Sequence, residues 1–306
     1  MAKVFQIVVA VNPRAAFGAN SDAGARVVGL LEAAGHQVRL LQAGSYPELA
    51  AQVSSAVQGD GAGLDALLMI GGDGMVHLGI NALAGSTVPL GLIPAGTGND
   101  AARSWGLPVG DLPAAVAAFL AGAQRPRTVD LGRVRNADSA EYFAAALSAG
   151  FDAVVNERAN AWSWPKGRSR YNLAILRELA VFRPLRYRLE VDGAAEELEA
   201  MLVAVANGQS FGGGMKITPE ARIDDGELDL FVVAPVSRWK LLTLFPKVFQ
   251  GKHVDHPAVS IRRVRSVRIE LLDRKAGVAG YSDGERLGAL PVQVEIVPGA
   301  LTLWGQ

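Results

Sequence analysis

Two glycine-rich loops contain the residue types that bind phosphate groups in proteins. The first loop is Gly71-Gly72-Asp73-Gly74, which follows an apolar run, and the second is Pro94-Ala95-Gly96-Thr97-Gly98-Asn99-Asp100. Glycine at the turn from a strand to a helix lets a phosphate approach the backbone, and the first N–H groups of the helix favour an anion. Because both loops follow strand-like runs, we expect them to form two walls of one nucleotide-binding cleft.

The polar residues of these loops indicate which groups lie beside the bound phosphate. An Asp73 carboxylate beside an anion site is expected where a divalent cation or a ribose hydroxyl lies between the two charges. The Thr97 hydroxyl can donate to a phosphate, Asn99 suits the N-cap of a short helix, and Asp100 could bind a metal-bound water. Neither loop matches the Walker sequence or Gly-x-Gly-x-x-Gly, which argues against P-loop and dinucleotide-fingerprint proteins.

Two acidic segments in the second half of the chain carry further candidate residues. The segment Gly280–Glu285 contains Asp283 and Glu285, and by itself it is equally compatible with an ordinary Asp-Gly turn. The segment Arg222–Asp229 offers carboxylates that could ligate a hard cation or form an acidic turn into a strand. Its spacing is not that of an EF-hand, and the residues alone leave both alternatives open.

The secondary structure predicted around these residues differs between the first and the later part of the chain. Strand-like and helix-like segments alternate through the first third, which predicts a parallel sheet covered on both faces. Short strand-like runs dominate the later part, which predicts a mainly antiparallel β-sandwich. We therefore expect an α/β domain over residues 1–128 and a β-sandwich domain over residues 129–306, with the last residues able to pack back on the first domain.

Composition limits the partners and the compartment. The 306 residues include 30 Lys and Arg against 30 Asp and Glu, so there is no global basic field and we predict no nucleic-acid partner. The absence of cysteine excludes disulfides and thiolate metal sites, and it fits a cytoplasmic protein. We expect no signal peptide and no membrane-spanning segment, because no apolar run approaches the roughly 18 residues that a span needs.

The motifs together resemble the diacylglycerol kinase catalytic-domain family, which also includes sphingosine and ceramide kinases and is distantly related to NAD kinases. The resemblance runs nearly end to end and rests on the order and spacing of Asn12-Pro13, Gly71–Gly74, Pro94–Asp100, Asp224–Asp229 and Asp283-Gly284-Glu285. It implies a nucleotide-binding domain of the NAD kinase and diacylglycerol kinase type followed by a lipid-binding β-sandwich domain. It also implies an ATP-dependent lipid kinase that phosphorylates the hydroxyl of diacylglycerol or a similar lipid to give a phosphatidate-type product.

The same resemblance implies roles for single residues. ATP and catalytic Mg²⁺ would be bound at Asn12, Pro13, Gly72, Asp73, Gly74, Met75, Thr97, Gly98, Asn99 and Asp100, with Asp130 as a further member of the magnesium network. Asp283 and Glu285 match the family's catalytic acidic pair, one of which takes the proton of the lipid hydroxyl. A second, structural Mg²⁺ would be bound by the Asp225 carboxylate and by backbone oxygens of Arg222 and Glu227.

The chain departs from the family pattern directly after the first glycine loop. Met75, His77 and Leu78 stand where the family usually has threonine, asparagine and glutamate. Two alternative functions therefore stay open. One is phosphorylation of a soluble nucleotide by an NAD kinase-like enzyme, and the other is nucleotide binding by a regulatory protein that has lost catalysis.

The expected partners are ATP, a membrane lipid such as diacylglycerol, and the inner surface of the cytoplasmic membrane, with which the protein would associate transiently. A homodimer is possible. Two segments could contribute to the lipid side. Trp162–Arg170 mixes tryptophans with cations and fits either a membrane surface or a capped helix start, and Trp239–Phe249 fits either a core helix or the wall of a lipid groove.

Overall fold

The computed structural model describes residues 3–11, 22–59, 63–149, 155, 162, 173–178, 183–273 and 278–305. The chain forms two compact units, Met1–Val129 together with Gly299–Gln306, and Asp130–Pro298. The first contains a parallel sheet with helices and the second contains antiparallel sheets, so the predicted fold class is confirmed. None of the described helices combines the length and the apolarity needed to cross a bilayer.

Parallel strands form the centre of the first unit. They are β1 (Gln6–Val11), β2 (Gln37–Gln42), β3 (Ala66–Gly71) and β4 (Leu90–Pro94). Their order in the sheet is β2-β1-β3-β4, and each pairs in parallel with its neighbour. Nearly all residues of β1, β3 and β4 are apolar and buried, as expected for parallel strands covered on both faces.

Helices alternate with these strands along the chain. They are α1 (Ala23–Ala33), α2 (Tyr46–Gly59), α3 (Asp73–Leu83), α4 (Asp100–Ser104) and α5 (Leu112–Gly122). Val27 of α1 and Phe119 of α5 share one core with strand residues such as Val9 and Leu68. α3 follows β3 and α4 follows β4, so the amino ends of these two helices lie at the carboxyl ends of two neighbouring strands.

The second unit is a sandwich of antiparallel sheets. One sheet contains β8 (Leu185–Val191), β9 (Ala194–Ala200), β13 (Ser266–Leu271) and β16 (Val292–Trp304), in the order β9-β8-β13-β16. The other contains β7 (Ala146–Ala149), β10 (Leu202–Ala206), β11 (Leu228–Val233), β12 (Val259–Val264), β14 (Ala279–Ser282) and β15 (Glu285–Ala289), in the order β12-β11-β10-β7-β14-β15. A further pair joins β5 (Arg127–Arg135) to β6 (Ala140–Phe143).

Both faces of β10 are buried, each against a different partner. Val203 and Val205 belong to the core that the two sheets enclose. Ala204 belongs to a second apolar cluster together with Leu241 of helix α6 (Arg238–Val248). Because side chains alternate along a strand, Val203 and Val205 point into the sandwich and Ala204 points toward α6.

The structure differs from the predicted elements where strands are short or polar. The apolar run Phe143–Ala149 predicts one strand but is divided between β6 and β7, and the sequence patterns of β9, β12, β14 and β15 do not predict strands. β9 has the sequence AAEELEA and takes strand conformation through antiparallel pairing with β8. The sequence pattern over Ser169–Phe182 predicts a helix, of which only residues 173–178 are described, and they are helical.

The end of the chain belongs to the first unit. Leu303 and Trp304 of β16 pair in parallel with Leu90 and Gly91 of β4. A Cβ atom placed on Gly122, the last residue of α5, would lie 2.1 Å from the backbone nitrogen of Gly305. The carboxyl end of α5 therefore packs directly on the backbone of the chain end.

Replacing Gly122 with alanine is expected to lower the free energy of unfolding by about 2–3 kcal/mol, because the new methyl group has to displace backbone atoms. Gly29→Ala is the matched control, since Gly29 lies inside α1 with nothing within 4 Å of its Cβ position. Alanine there should be neutral or stabilising by up to about 1 kcal/mol. Urea unfolding measures both variants, and equal stabilities would contradict the packing of α5 on the chain end.

Candidate active site

The two glycine loops touch each other at the carboxyl ends of β3 and β4. The Gly71 carbonyl accepts a hydrogen bond of 2.9 Å from the backbone N–H of Ala95. A Cβ atom on Gly72 would lie 2.9 Å from the Cα of Gly96, and a Cβ atom on Gly96 would lie 2.3 Å from the Cα of Gly72. Glycine is required at both positions because any side chain would separate the loops.

The Asp73 carboxylate joins the first loop to the helix that follows the second. Its Oδ1 accepts hydrogen bonds from the backbone N–H groups of Asp100, at 2.8 Å, and Ala101, at 3.4 Å. These are the first two N–H groups of α4, which have no partner inside the helix. Asp73 therefore caps α4 from a different loop, and its negative charge lies at the positive end of that helix.

Asn99 stands at the N-cap position of α4, but its side chain makes no capping hydrogen bond. Its Oδ1 accepts from the Gly96 N–H at 3.0 Å, and its Nδ2 donates to the Gly96 carbonyl at 2.8 Å. The predicted capping role is thus corrected. Asn99 closes the second loop on itself, with a left-handed backbone at φ 55°, because Asp73 already occupies the helix end.

Two acidic side chains flank Gly98. A Cβ atom on Gly98 would lie 2.4 Å from Oδ2 of Asp73 and 3.7 Å from Oδ2 of Asp100. Asp100 is only 5% exposed, and burial raises the pKa of Asp73, an effect that its backbone hydrogen bonds partly oppose. A buried and a half-buried carboxylate with oxygens facing the same glycine need a positive partner to remain ionised together.

These two carboxylates fit a hydrated Mg²⁺ ion, because Mg²⁺ prefers oxygen ligands and keeps several waters. The described residues contain no group of three or more His, Cys, Asp or Glu side chains arranged to hold a metal. An ion at Asp73 and Asp100 would therefore take its remaining ligands from water and from phosphate oxygens.

Three more residues complete the loop surface. Thr97 is exposed, which leaves its hydroxyl accessible to a ligand. The Arg103 guanidinium donates to the Gly98 carbonyl and so fixes the second loop. The Tyr46 hydroxyl donates to the Gly74 carbonyl at 3.3 Å. Sequence reasoning missed Tyr46, because it lies at the start of α2, outside every motif.

The residues that replace the family's usual continuation serve the packing of α3. Met75 is 2% exposed and Leu78 is also buried. The backbone carbonyl of His77 accepts a hydrogen bond of 2.9 Å from the side chain of Asn81. A nucleotide contact at Met75 can therefore come only from its backbone. Asn12 and Pro13, also predicted to bind the nucleotide, lie outside the described residues.

The predicted acidic pair of the second unit consists of two very different carboxylates. Asp283 and Gly284 both have positive φ and form the tight turn between β14 and β15. The Asp283 carboxylate accepts hydrogen bonds from three successive backbone N–H groups at 2.7, 2.8 and 3.1 Å, those of Ala144, Ala145 and Ala146. Glu285, at the start of β15, is exposed.

The predicted metal site at Asp225 is engaged by a cation of the chain itself. The Arg263 guanidinium hydrogen-bonds Asp225, and it lies 3.1 Å from Glu227 Oε2 and 3.8 Å from Asp229 Oδ1. The second oxygen of Asp225 accepts from the Glu227 N–H at 3.2 Å. Both oxygens of Asp225 are thus hydrogen-bonded within the chain, and the structural Mg²⁺ that the resemblance implies at Arg222, Asp225 and Glu227 stays a prediction.

The charges of the acidic turn, residues Arg222–Asp229, explain why it pairs with the Arg263 guanidinium. Burial, together with the nearby charges of Asp225, Glu227 and Glu220, raises the pKa of Asp229 to about 6, while Arg263 opposes the shift. Asp130 supports the same turn, since its carboxylate accepts a hydrogen bond of 2.7 Å from the Gly226 N–H. Asp130 therefore stabilises the acidic turn of the second unit through this hydrogen bond.

An apolar cavity lies beside α6. Among its lining residues are Met201, Phe211, Met215, Phe231, Leu244 and Phe245. His253 is the only described lining residue that is not apolar, and the burial of its ring lowers its pKa, which keeps the ring neutral. The helix predicted over Trp239–Phe249 therefore forms one wall of an uncharged, apolar cavity.

Comparisons with known proteins identify relatives of this chain in sequence and in fold. Residues 6–134 match the family model described as diacylglycerol kinase catalytic domain, and residues 145–305 match the one described as YegS C-terminal NAD kinase beta sandwich-like domain. A diacylglycerol kinase of Mycobacterium tuberculosis is 38% identical over 98% of this chain and 94% of its own length. A probable lipid kinase YegS-like of Stenotrophomonas maltophilia is 29% identical over 79% of each chain. The crystal structure of a diacylglycerol kinase from Bacillus anthracis shares the fold, with a TM-score of 0.71 at 22% identity over 100% of this chain and 98% of that one.

Removing the Arg263 guanidinium tests its role at the acidic turn. Arg263→Ala is expected to lower the free energy of unfolding by about 2 kcal/mol, because it leaves three neighbouring carboxylates, one of them buried, without their shared counter-charge. Arg262→Ala is the matched control. The ion pair of Arg262 with Glu196 lies at the surface, so its loss should lower the free energy of unfolding by about 0–1 kcal/mol.

Thermal unfolding with and without a chelator completes this test. The unchanged protein should unfold at the same temperature in both conditions, and added Mg²⁺ should restore part of the stability of Arg263→Ala. A chelator that destabilises the unchanged protein while Arg263→Ala has no effect would instead favour the predicted structural Mg²⁺.

Proposed function

The chain belongs to the diacylglycerol kinase catalytic-domain family, and on that premise we propose that it transfers the γ-phosphoryl group of ATP to the hydroxyl of a membrane lipid such as diacylglycerol. The product would be a phosphatidate-type lipid. The observation that carries the lipid acceptor is the apolar cavity beside α6, whose lining offers hydrocarbon surface and no charge. A soluble nucleotide such as NAD, with its charged phosphates, would gain nothing from such a lining.

The glycine loops are proposed to hold the phosphates of ATP. The backbone of Gly72, Gly74 and Gly98 allows close approach, and the Thr97 hydroxyl donates to a phosphate oxygen. Asp73 and Asp100 would hold Mg²⁺, which when bound neutralises charge on the phosphates. Since the transition state of phosphoryl transfer is loose, positioning of the reactants and neutralisation of charge provide most of the rate enhancement.

We assign the proton transfer to Glu285 and a positioning role to Asp283. The lipid oxygen forms a bond to the γ-phosphorus, the bond from that phosphorus to the bridging oxygen of ADP breaks, and Glu285 takes the hydroxyl proton. Asp283 is less suited to accept it, because its two oxygens already accept three backbone hydrogen bonds. An exposed carboxylate keeps its lone pairs available for a substrate.

The proposal extends to where the protein acts. Transient association with the inner surface of the cytoplasmic membrane would give the enzyme access to its lipid. The homodimer stays a prediction. The regulatory alternative has little support, since Met75 and Leu78 are packing residues of α3 and the sequence retains Asp73, Asp100 and Glu285.

Replacing Glu285 with glutamine is expected to lower kcat for dioleoylglycerol phosphorylation by about 10²–10⁴-fold, because the amide cannot accept the proton. The dissociation constant of ATP and the free energy of unfolding should stay unchanged. Glu199→Gln, the same substitution at an exposed position of β9, is the control and should retain full activity.

The Asp283→Asn variant separates the two carboxylates. Its amide has a single acceptor oxygen for three N–H donors, so the free energy of unfolding should fall by about 1–3 kcal/mol. An Asp283→Asn protein of normal stability with a larger loss of kcat than Glu285→Gln would reverse the two assignments.

Filling the cavity tests the acceptor side independently. Ala204 is buried and lines the cavity, so leucine at this position should reduce kcat/KM for dioleoylglycerol about tenfold or more while leaving ATP binding unchanged. Dioctanoylglycerol, with shorter chains, should be affected less. An equal loss for both lipids would argue that the acyl chains bind elsewhere.

A further inference from the structure

Helix α6 presents two chemically different faces. Leu241, Leu244, Phe245 and Val248 line the apolar cavity. On the opposite face, Trp239 is 80% exposed, far more than any other large apolar side chain among the described residues. A single helix thus separates the proposed lipid cavity from an exposed tryptophan.

The exposed ring of Trp239 is suited to contact a partner. Tryptophan carries a large apolar ring with one N–H group, a combination that favours the boundary between water and lipid. Trp239 lies in the first turn of α6, which the Ser237 side chain caps by accepting from the Lys240 N–H at 3.4 Å. The ring is therefore presented by the ordered end of a helix.

Lysines lie on this helix and next to its carboxyl end. Lys240 and Lys247 are exposed on α6, which contains no Asp or Glu. Lys216 and Lys252 are exposed next to its carboxyl end, where the Lys216 N–H donates to the Val248 carbonyl at 3.1 Å and the Lys252 N–H donates to the Lys247 carbonyl at 3.0 Å. In the part of the chain that the structure describes, none of these four lysines makes a salt bridge.

We propose that Trp239 and the lysines Lys216, Lys240, Lys247 and Lys252 form a docking surface for an anionic lipid bilayer. Trp239 enters the interfacial region while the lysines contact lipid phosphates, a pairing that combines apolar burial with attraction to a negative surface. The proposal rests on the proposed function, because docking at α6 brings the wall of the lipid cavity against the source of its lipid. The other predicted membrane segment, Trp162–Arg170, lies outside the described residues except for Trp162.

A bilayer fits this surface better than a protein partner does. One exposed ring is too small an apolar patch for a stable protein interface, which needs a buried apolar centre. A membrane surface suits an exposed ring on the same helix as Lys240 and Lys247, because lysine stems there lie along apolar groups and their charges reach the phosphates.

Vesicle co-sedimentation without ATP tests the proposal. The probes are vesicles of phosphatidylcholine alone and of phosphatidylcholine mixed with phosphatidylglycerol. The unchanged protein should bind the mixed vesicles more tightly, and Trp239→Ala should weaken that binding by about tenfold or more. Leu173→Ala, which removes another exposed apolar side chain, is the control and should bind normally.

The charged part of the surface has its own variants. Replacing Lys240 and Lys247 together with glutamine should abolish the preference for phosphatidylglycerol and the weakening of binding by salt. Lys3→Gln, at an exposed lysine paired with Asp65, should change neither. Because Trp239 is exposed, its variant should keep the unfolding temperature and the activity on monomeric dioctanoylglycerol.

The outcomes separate the docking surface from the kinase proposal. Vesicle binding that depends on Trp239, in a protein that phosphorylates no lipid, would support the surface and contradict the proposed function. Phosphorylation of dioctanoylglycerol with vesicle binding unchanged in Trp239→Ala would overturn the surface alone. Loss of self-association in Trp239→Ala, with unchanged vesicle binding, would also overturn it and identify an interface between copies of the chain.

Discussion

The site in the first unit depends on one interaction, the hydrogen bonds from the first N–H groups of α4 to the Asp73 carboxylate. A carboxylate that is largely buried must be paired or hydrogen-bonded, so this contact fixes the side chain and joins the two glycine loops. The remaining features follow from it. Gly72 and Gly96 let the loops touch, Gly98 leaves room for the second oxygen of Asp73, and Asn99 is free to close its own loop.

In the second unit, acidic residues also stabilise turns. Asp283 fixes the turn before β15 by accepting three backbone N–H groups, whereas Glu285 at the start of β15 is exposed to solvent. At the acidic turn, Arg263 supplies the positive charge that the family resemblance would give to a metal ion. Acidic residues that look alike in the sequence thus have different partners, namely backbone donors, a guanidinium or solvent.

Local patterns predicted the parts of the structure that depend on neighbours in sequence. The buried strands of the first unit, the glycine loops and the full extent of α6 follow from apolar runs and turn residues. Strand β9, the capping of α4 by Asp73, and the pairing of Arg263 with Asp225 depend on contacts between distant residues, which no local pattern contains. Trp239 was assigned to an apolar helix, but only the structure separates the face that lines the cavity from the face that meets solvent.

The central claim is that this chain phosphorylates a lipid hydroxyl at the expense of ATP. The most direct measurement incubates the purified protein with labelled ATP and Mg²⁺ in the presence of diacylglycerol vesicles or of NAD, and resolves the labelled products by mass. Label in a phosphatidate-type lipid, absent when Glu285 is replaced by glutamine, is the predicted result. Label in NAD with none in any lipid would contradict the account.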